Sequence, residues 1–186
     1  MTAAIGMPYF AARRMQPWLL AISLAMPPCV HVAMLRGEEG VDEKLQRLAV
    51  EGGKRVVGLE TVDEQVIALA SLEEVVGPGE LLELVSLGPG AIADLFATQV
   101  QSYIDEQPSL AVALMLNMPE FGSSAEVFRA VEGTLIRDRN LRMRDRLLPI
   151  LEEGGVFVGV GALHLPGESG LVELIRSAGY SVTSME

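Results

Sequence analysis

Cysteine is nearly absent from this chain: Cys29 stands alone among 186 residues. A lone thiol closes no internal disulfide, so the fold does not depend on oxidation, and no zinc-type cysteine cluster can form. Histidine is almost as scarce, with only His31 and His164. Cys29 and His31 lie two residues apart. That spacing puts side chains on opposite faces of a strand and does not bring them together on a helix, so the two make a poor nucleophile–base pair.

Basic residues are also few. Lys and Arg number 14 against 25 Asp and Glu, which leaves a net charge of −11 and a pI near 4.7. A polyanion would be repelled at long range, which disfavours DNA, RNA or an anionic lipid surface as the main target. Long apolar runs are missing too. Arg13-Arg14, the apolar stretch 18–26 and Pro27-Pro28 imitate the parts of a secretory signal, but the run falls short of the ~20 residues that a spanning helix needs. No A-x-A-like cleavage site follows it. A core helix entered through Gln16-Pro17-Trp18, with proline at the first helical position, accounts for the stretch better.

The most informative segment is residues 156–167, VFVGVGALHLPG. It is an apolar, β-branched run that ends in glycines and then delivers His164. A buried strand reads this way, with its carboxyl end opening into a loop where ligands and metals tend to sit in α/β sheets. His164 there is either a functional group on a rigid mount or a core histidine with a backbone partner.

The remaining pattern is mostly helical. A helix is expected from Val41, with Asp42 as cap and Gly52-Gly53 as stop. Residues 55–60, RVVGLE, read as a short strand that hands over to a helix through the capping box Thr61-x-x-Glu64. Gly77-Pro78-Gly79 and Gly88-Pro89-Gly90 bound a short helix over 80–87, and 91–106 is amphipathic. Residues 108–118 read as a buried helix, and Ser123-x-x-Glu126 as a second capping box. A helix over 134–153 should kink or break at Pro149. A helix over 170–178 capped by Gly179 and a last strand over 180–183 complete the chain. Asp138 and Asp145 interleave with Arg137, Arg139, Arg142, Arg144 and Arg146, a pattern that suits a solvated helix laced with i,i+4 pairs better than an anion site. The expected fold class is α/β, with α+β as the alternative: a small central sheet with a helix-rich insertion, mostly helical by residue count, in one domain over 1–186.

These pieces together resemble the TraB/GumN family, which includes pheromone-shutdown proteins and is related to the Tiki-type metalloproteases. The residues that carry the resemblance are Pro17-Trp18, Gly58-Leu59-Glu60-Thr61 with Glu64-Gln65, Arg139-Asn140, the run from Gly161 to Gly167, Gly170-Leu171, Leu174 and Gly179-Tyr180. The resemblance implies a metal-dependent hydrolase, peptidase-like, whose divalent metal is held by two glycine-x-x-histidine motifs helped by glutamate and arginine. His164 matches the second motif, Arg139 the arginine, and Glu60 the acid. His164 would be a metal ligand or general base, Glu60 a ligand or base and Arg139 their electrostatic partner, and Glu64, Gln65, Asn140, Gly161 and Gly167 would support them.

The first glycine-x-x-histidine motif has no counterpart here, since Pro28-Cys29-Val30-His31 lacks the glycine. The family pattern therefore implies either an amino-truncated form or a member that has lost half its site. One imidazole and one carboxylate hold a metal weakly, because a catalytic zinc-type site normally takes three protein ligands. Arg139 cannot be a ligand, as guanidinium has no lone pair to give. It either orients Glu60, stabilises an oxyanion or a bound carboxylate, or forms a structural ion pair.

Two further expectations concern partners. A non-catalytic module could bind a peptide or small molecule between helices of the 80–132 region, lined by Met115, Met118 and Phe121. Missing strands would leave a sheet edge exposed, which a second copy could cover as a homo-oligomer. The family resemblance also implies export or a periplasmic location for the intact protein.

Overall fold

The computed structural model describes residues 2–74, 78–110, 113, 129 and 131–185. The helices are α1 (Tyr9–Ala12), α2 (Pro17–Ala25), α3 (Pro28–Leu35), α4 (Val41–Glu51), α5 (Val62–Ala70), α6 (Pro78–Ile104), α7 (Asp138–Glu153) and α8 (Leu171–Ser177). Short 3-10 turns lie at Thr2–Ile5, Ser71–Glu74 and Ala162–His164, and a π turn over Gly133–Arg137 feeds α7.

No strand forms among the described residues, which overturns the expected α/β class and its central sheet. The physical reason lies in the segments that should have been strands. A strand is stabilised only by a partner that takes up its backbone N–H and C=O groups. Residues 55–58 and 155–160 make no backbone–backbone hydrogen bond among the described residues. Their side chains stay open to solvent, with Val57 49% and Phe157 78% exposed. The β-branched residues are present, but the ladder is not.

The helical expectations fare better. Thr61 caps α5 as a capping box, its hydroxyl accepting from Glu64 N–H and the Glu64 carboxylate accepting from Thr61 N–H at 2.8 Å. Gly88, at φ 77°, breaks α6 ahead of Pro89, where the glycine-proline-glycine sequence predicts a turn. Gly154 and Gly155, at φ 73° and 64°, end α7 in a conformation that favours glycine. Other details differ. Gly40, not Asp42, caps α4, and its N–H donates to Glu43. Pro149 does not end α7, which continues to Glu153. At Gly133 a π turn begins that carries the chain straight into α7. The expected helix over 108–118 and the Ser123 capping box lie mostly outside the described residues, as do Met115, Met118 and Phe121 of the expected binding groove.

α7 is the axis of the carboxyl half. It packs against α8, burying Leu147 and Leu171 to 2% exposure each. In the amino half, α2 packs against α6 and buries Leu24, as the core-helix reading of residues 18–26 requires. No single described helix is long and apolar enough to cross a membrane. Distant segments are joined to α7 by charge. Arg146 donates to both oxygens of Glu64, at 2.6 and 2.7 Å, and to the Leu59 carbonyl at 2.9 Å, fastening the start of α5.

The Arg146 hydrogen bonds, followed by the Thr61 backbone, hold the Glu64 carboxyl down from its usual 4.5 to about 2. A depressed carboxylate contributes stability that is complete above its unfolded value and lost as the group is protonated in the folded state. Wild-type protein should therefore lose this contribution as pH falls from about 4.5 towards 2. Urea unfolding of Glu64→Gln should show a shallower pH dependence over that window, and an unchanged slope would contradict the assignment.

Candidate functional site

Three separate stretches meet at the amino-terminal end of α7. The 3-10 turn Ala162–His164 brings His164, the residues before α5 bring Glu60, and the first turns of α7 bring Arg139, Asn140 and Arg142. A π turn widens the backbone by one residue and shifts the register of the helix beyond it. Gly133 opens this one and sits against the Arg137 guanidinium, 3.3 Å from where a Cβ would stand. The turn also supplies the Leu135 carbonyl, which accepts from Arg139 Nη1 at 3.2 Å.

The centre of the site is Asn140, whose side chain is fully buried. Its Nδ2 donates to two carbonyls, His164 at 3.1 Å and Ser169 at 2.8 Å. Its Oδ1 lies 2.6 Å from His164 Nδ1. A carboxamide oxygen can only accept, so with this orientation of the amide, Nδ1 must carry the proton. The lone pair of the neutral ring is then on Nε2. That nitrogen has no hydrogen-bond partner and is not sealed from solvent, since Arg142 Nε is the sole buried side-chain nitrogen or oxygen without a partner among the described residues. Burial, followed by the charge of Arg139, pushes the His164 imidazole below its usual range against a weaker opposing pull from Glu60. The ring therefore stays neutral near pH 7, with its free lone pair outward.

Beside the imidazole lies a buried ion cluster. Arg139 Nε donates to both Glu60 oxygens at 3.0 Å and Nη2 donates to Oε2 at 2.7 Å, with side-chain exposures of 12% and 8%. Arg142 Nη2 stands 3.6 Å from Glu60 Oε1. Burial alone would raise the Glu60 carboxyl, but the Arg139 hydrogen bonds and charge, helped by Arg142 and His164, bring it below its usual range. Glu60 is thus an ionised, fully engaged carboxylate and a weak base.

The structure therefore joins Glu60, Arg139, Asn140 and His164, and it adds Arg142. Sequence reasoning placed Arg142 with the solvated arginines. Its spacing of three from Arg139, which puts both on one helical face, was the signal. The i,i+4 pairs expected along α7 do not form: Arg137 and Arg144 pair with the adjacent Asp138 and Asp145, while Arg139, Arg142 and Arg146 reach residues far away in sequence. Glu64 belongs to the Arg146 fastening beside the site. Gln65 is exposed on α5 and makes no side-chain hydrogen bond. Gly161 accepts the His164 N–H and so closes the 3-10 turn. Gly167 turns the chain at φ 84°. Gly170 allows a close approach, because a Cβ there would collide with the Leu165 and Pro166 carbonyls. His31 lies elsewhere, its Nε2 at 2.8 Å from the Ser23 carbonyl, and it ties α3 to α2.

A divalent metal bound to His164 and Glu60 does not fit these residues as they stand. Both Glu60 oxygens are taken by guanidinium donors, and two positive charges adjoin the place where a dication would sit. Among the described residues no group of three or more His, Cys, Asp or Glu side chains converges.

The tautomer assignment makes a spectroscopic prediction. Nitrogen-15 spectra at pH 7 should show His164 protonated on Nδ1 and titrating below 6.5, and Asn140→Asp should raise that pKa by placing a negative charge on Nδ1–H. An Nε2–H ring would contradict the geometry. Asn140→Ala should cost about 3 kcal/mol in denaturant unfolding, since it leaves a buried carbonyl, a part-buried carbonyl and an imidazole N–H unpaired. A cost under ~1 kcal/mol would mean that water replaces the carboxamide.

Comparison with known families gives a match over residues 1–184 to the TraB/PrgY/gumN family. No curated protein and no solved structure matches the chain.

Proposed function

The chain belongs to the TraB/PrgY/gumN family, and on that premise we propose that it is a hydrolase domain acting on peptide-type amide bonds, with His164 Nε2 as the proton acceptor. The observation that carries this reading is the Asn140 lock, which fixes the tautomer and turns an unshared lone pair outward. A general base needs a neutral imidazole at working pH and a free nitrogen within reach of the proton to be taken. Burial supports the first condition for His164, and the Asn140 contact supports the second by leaving Nε2 unshared.

In this reading a water attacks an amide carbonyl and passes its proton to Nε2, and the imidazolium then returns that proton to the amide nitrogen as the C–N bond breaks, releasing an amine and a carboxylic acid. The developing oxyanion is stabilised by the half-exposed Arg142 guanidinium, whose Nη2 is only loosely engaged by Glu60 at 3.6 Å. Arg139 and Glu60 form the fixed electrostatic frame beside it. A metal-dependent variant of the reaction would require Glu60 to release Arg139 and further ligands to join His164, so no step is assigned to a metal.

Cleavage of a quenched fluorescent peptide mixture, with and without chelator, tests the reading. His164→Ala should reduce turnover by roughly 10²–10⁴-fold, while far-ultraviolet circular dichroism stays unchanged. Arg142→Lys should lower kcat more than it raises KM. Turnover that survives His164→Ala would refute the base assignment. Activity abolished by chelator and restored by one added divalent ion would replace it with the metal-dependent form.

A further inference from the structure

A cleft of about 660 Å³ lies apart from the acid–imidazole cluster, between residues 54–59 and residues 154–159. Leu45 and Ala49 of α4 and Leu147 and Ile150 of α7 contribute aliphatic lining. Val56, Val57, Val156 and Phe157 line the two margins. Along both margins the backbone N–H and C=O groups of residues 55–58 and 155–159 have no backbone partner among the described residues. An Arg55–Glu153 ion pair at 2.8 Å ties one margin to the residue that precedes the other.

We infer that this cleft is a seat for an extended, β-branched aliphatic segment of a partner polypeptide, bound by strand addition. The unpaired margins select the class of occupant. A small apolar ligand would fill the volume but leave both rows of backbone donors and acceptors unmet. A helix keeps its hydrogen bonds internal and has none to offer them. An extended chain presents N–H and C=O alternately to its two sides and alternates its side chains between the cleft and solvent. The margins themselves have the β-branched composition that pairs well across strands. Charge narrows the choice further. Asp42 and Lys54 both line the cleft and form no ion pair among the described residues, so a segment with a basic residue at one end and an acidic one at the other complements it. This inference does not depend on the chemistry assigned to His164.

The test uses the whole chain and a blocked peptide, Lys-Val-Thr-Val-Thr-Val-Glu, with the same peptide N-methylated at alternate residues as control. Fluorescence anisotropy reads binding, and hydrogen exchange reads the amides of residues 55–58 and 155–159. The expected result is saturable binding with slowed exchange on both margins, weakened roughly tenfold or more by N-methylation, which keeps the apolar side chains and removes hydrogen-bond donors. Phe157→Pro, which deletes one margin N–H from an exposed and irregular segment, should weaken binding without altering the helical signal. Equal binding of the N-methylated peptide would reduce the cleft to an apolar pocket and overturn strand addition. The same amides protected without peptide, in a concentration-dependent dimer, would assign the seat to a second copy and overturn a foreign partner. No binding and no protection would overturn the proposal outright.

Discussion

The carboxyl half of the molecule is organised by one buried carboxamide. Asn140 has no solvent contact and must satisfy its donors and acceptor within the protein. It does so by binding two backbone carbonyls and one imidazole from residues 164–169. An irregular glycine-rich segment is therefore fastened to α7 by side-chain hydrogen bonds and not by a sheet. The same contacts choose which ring nitrogen of His164 keeps its lone pair. Structural support and chemical capability thus arise from one buried side chain.

Around that point the arginines of α7 act as fasteners. Arg139, Arg142 and Arg146 project from one helix to two acids, Glu60 and Glu64, that bracket the start of α5. The buried Arg139–Glu60 pair adds little net stability over apolar packing, yet removing one partner leaves an uncompensated charge. The value of these fasteners is geometric. They hold the α5 entry and its acid at a fixed place beside the imidazole. Ser169 adds a weaker link of the same type by donating to Glu132.

Much of this was legible in the sequence where the determinants are local. The Thr61–Glu64 box, the break at Gly88 and the ends at Gly154 and Gly179 follow from backbone requirements that a few residues state by themselves. The acid, arginine and histidine that the family resemblance singled out do lie together, and the Arg139–Glu60 contact serves the orienting and the ion-pair readings of Arg139 alike. The sheet was misread because β-branched runs such as 55–59 and 156–160 announce strand propensity but say nothing of a partner. Pairing is a property of two segments, and neither run carries information about the other. Arg142 was overlooked for a related reason: an alternation of Arg and Asp looks like a solvated surface until the long-range acid that claims one member is known. The continuity of α7 through Pro149 shows tertiary support overriding a local preference.

The π turn over Gly133–Arg137 has a consequence for how this protein can change. That turn fits one residue more than a regular helix would place in the same rotation. Each residue of a regular helix advances the face by about 100°. The wide turn takes up one such step, so Arg139, Asn140 and Arg142 keep the face that meets Glu60 and His164 although the chain carries an extra residue ahead of them. The regular part of α7 has no such slack, and a length change there would turn every later side chain off its face.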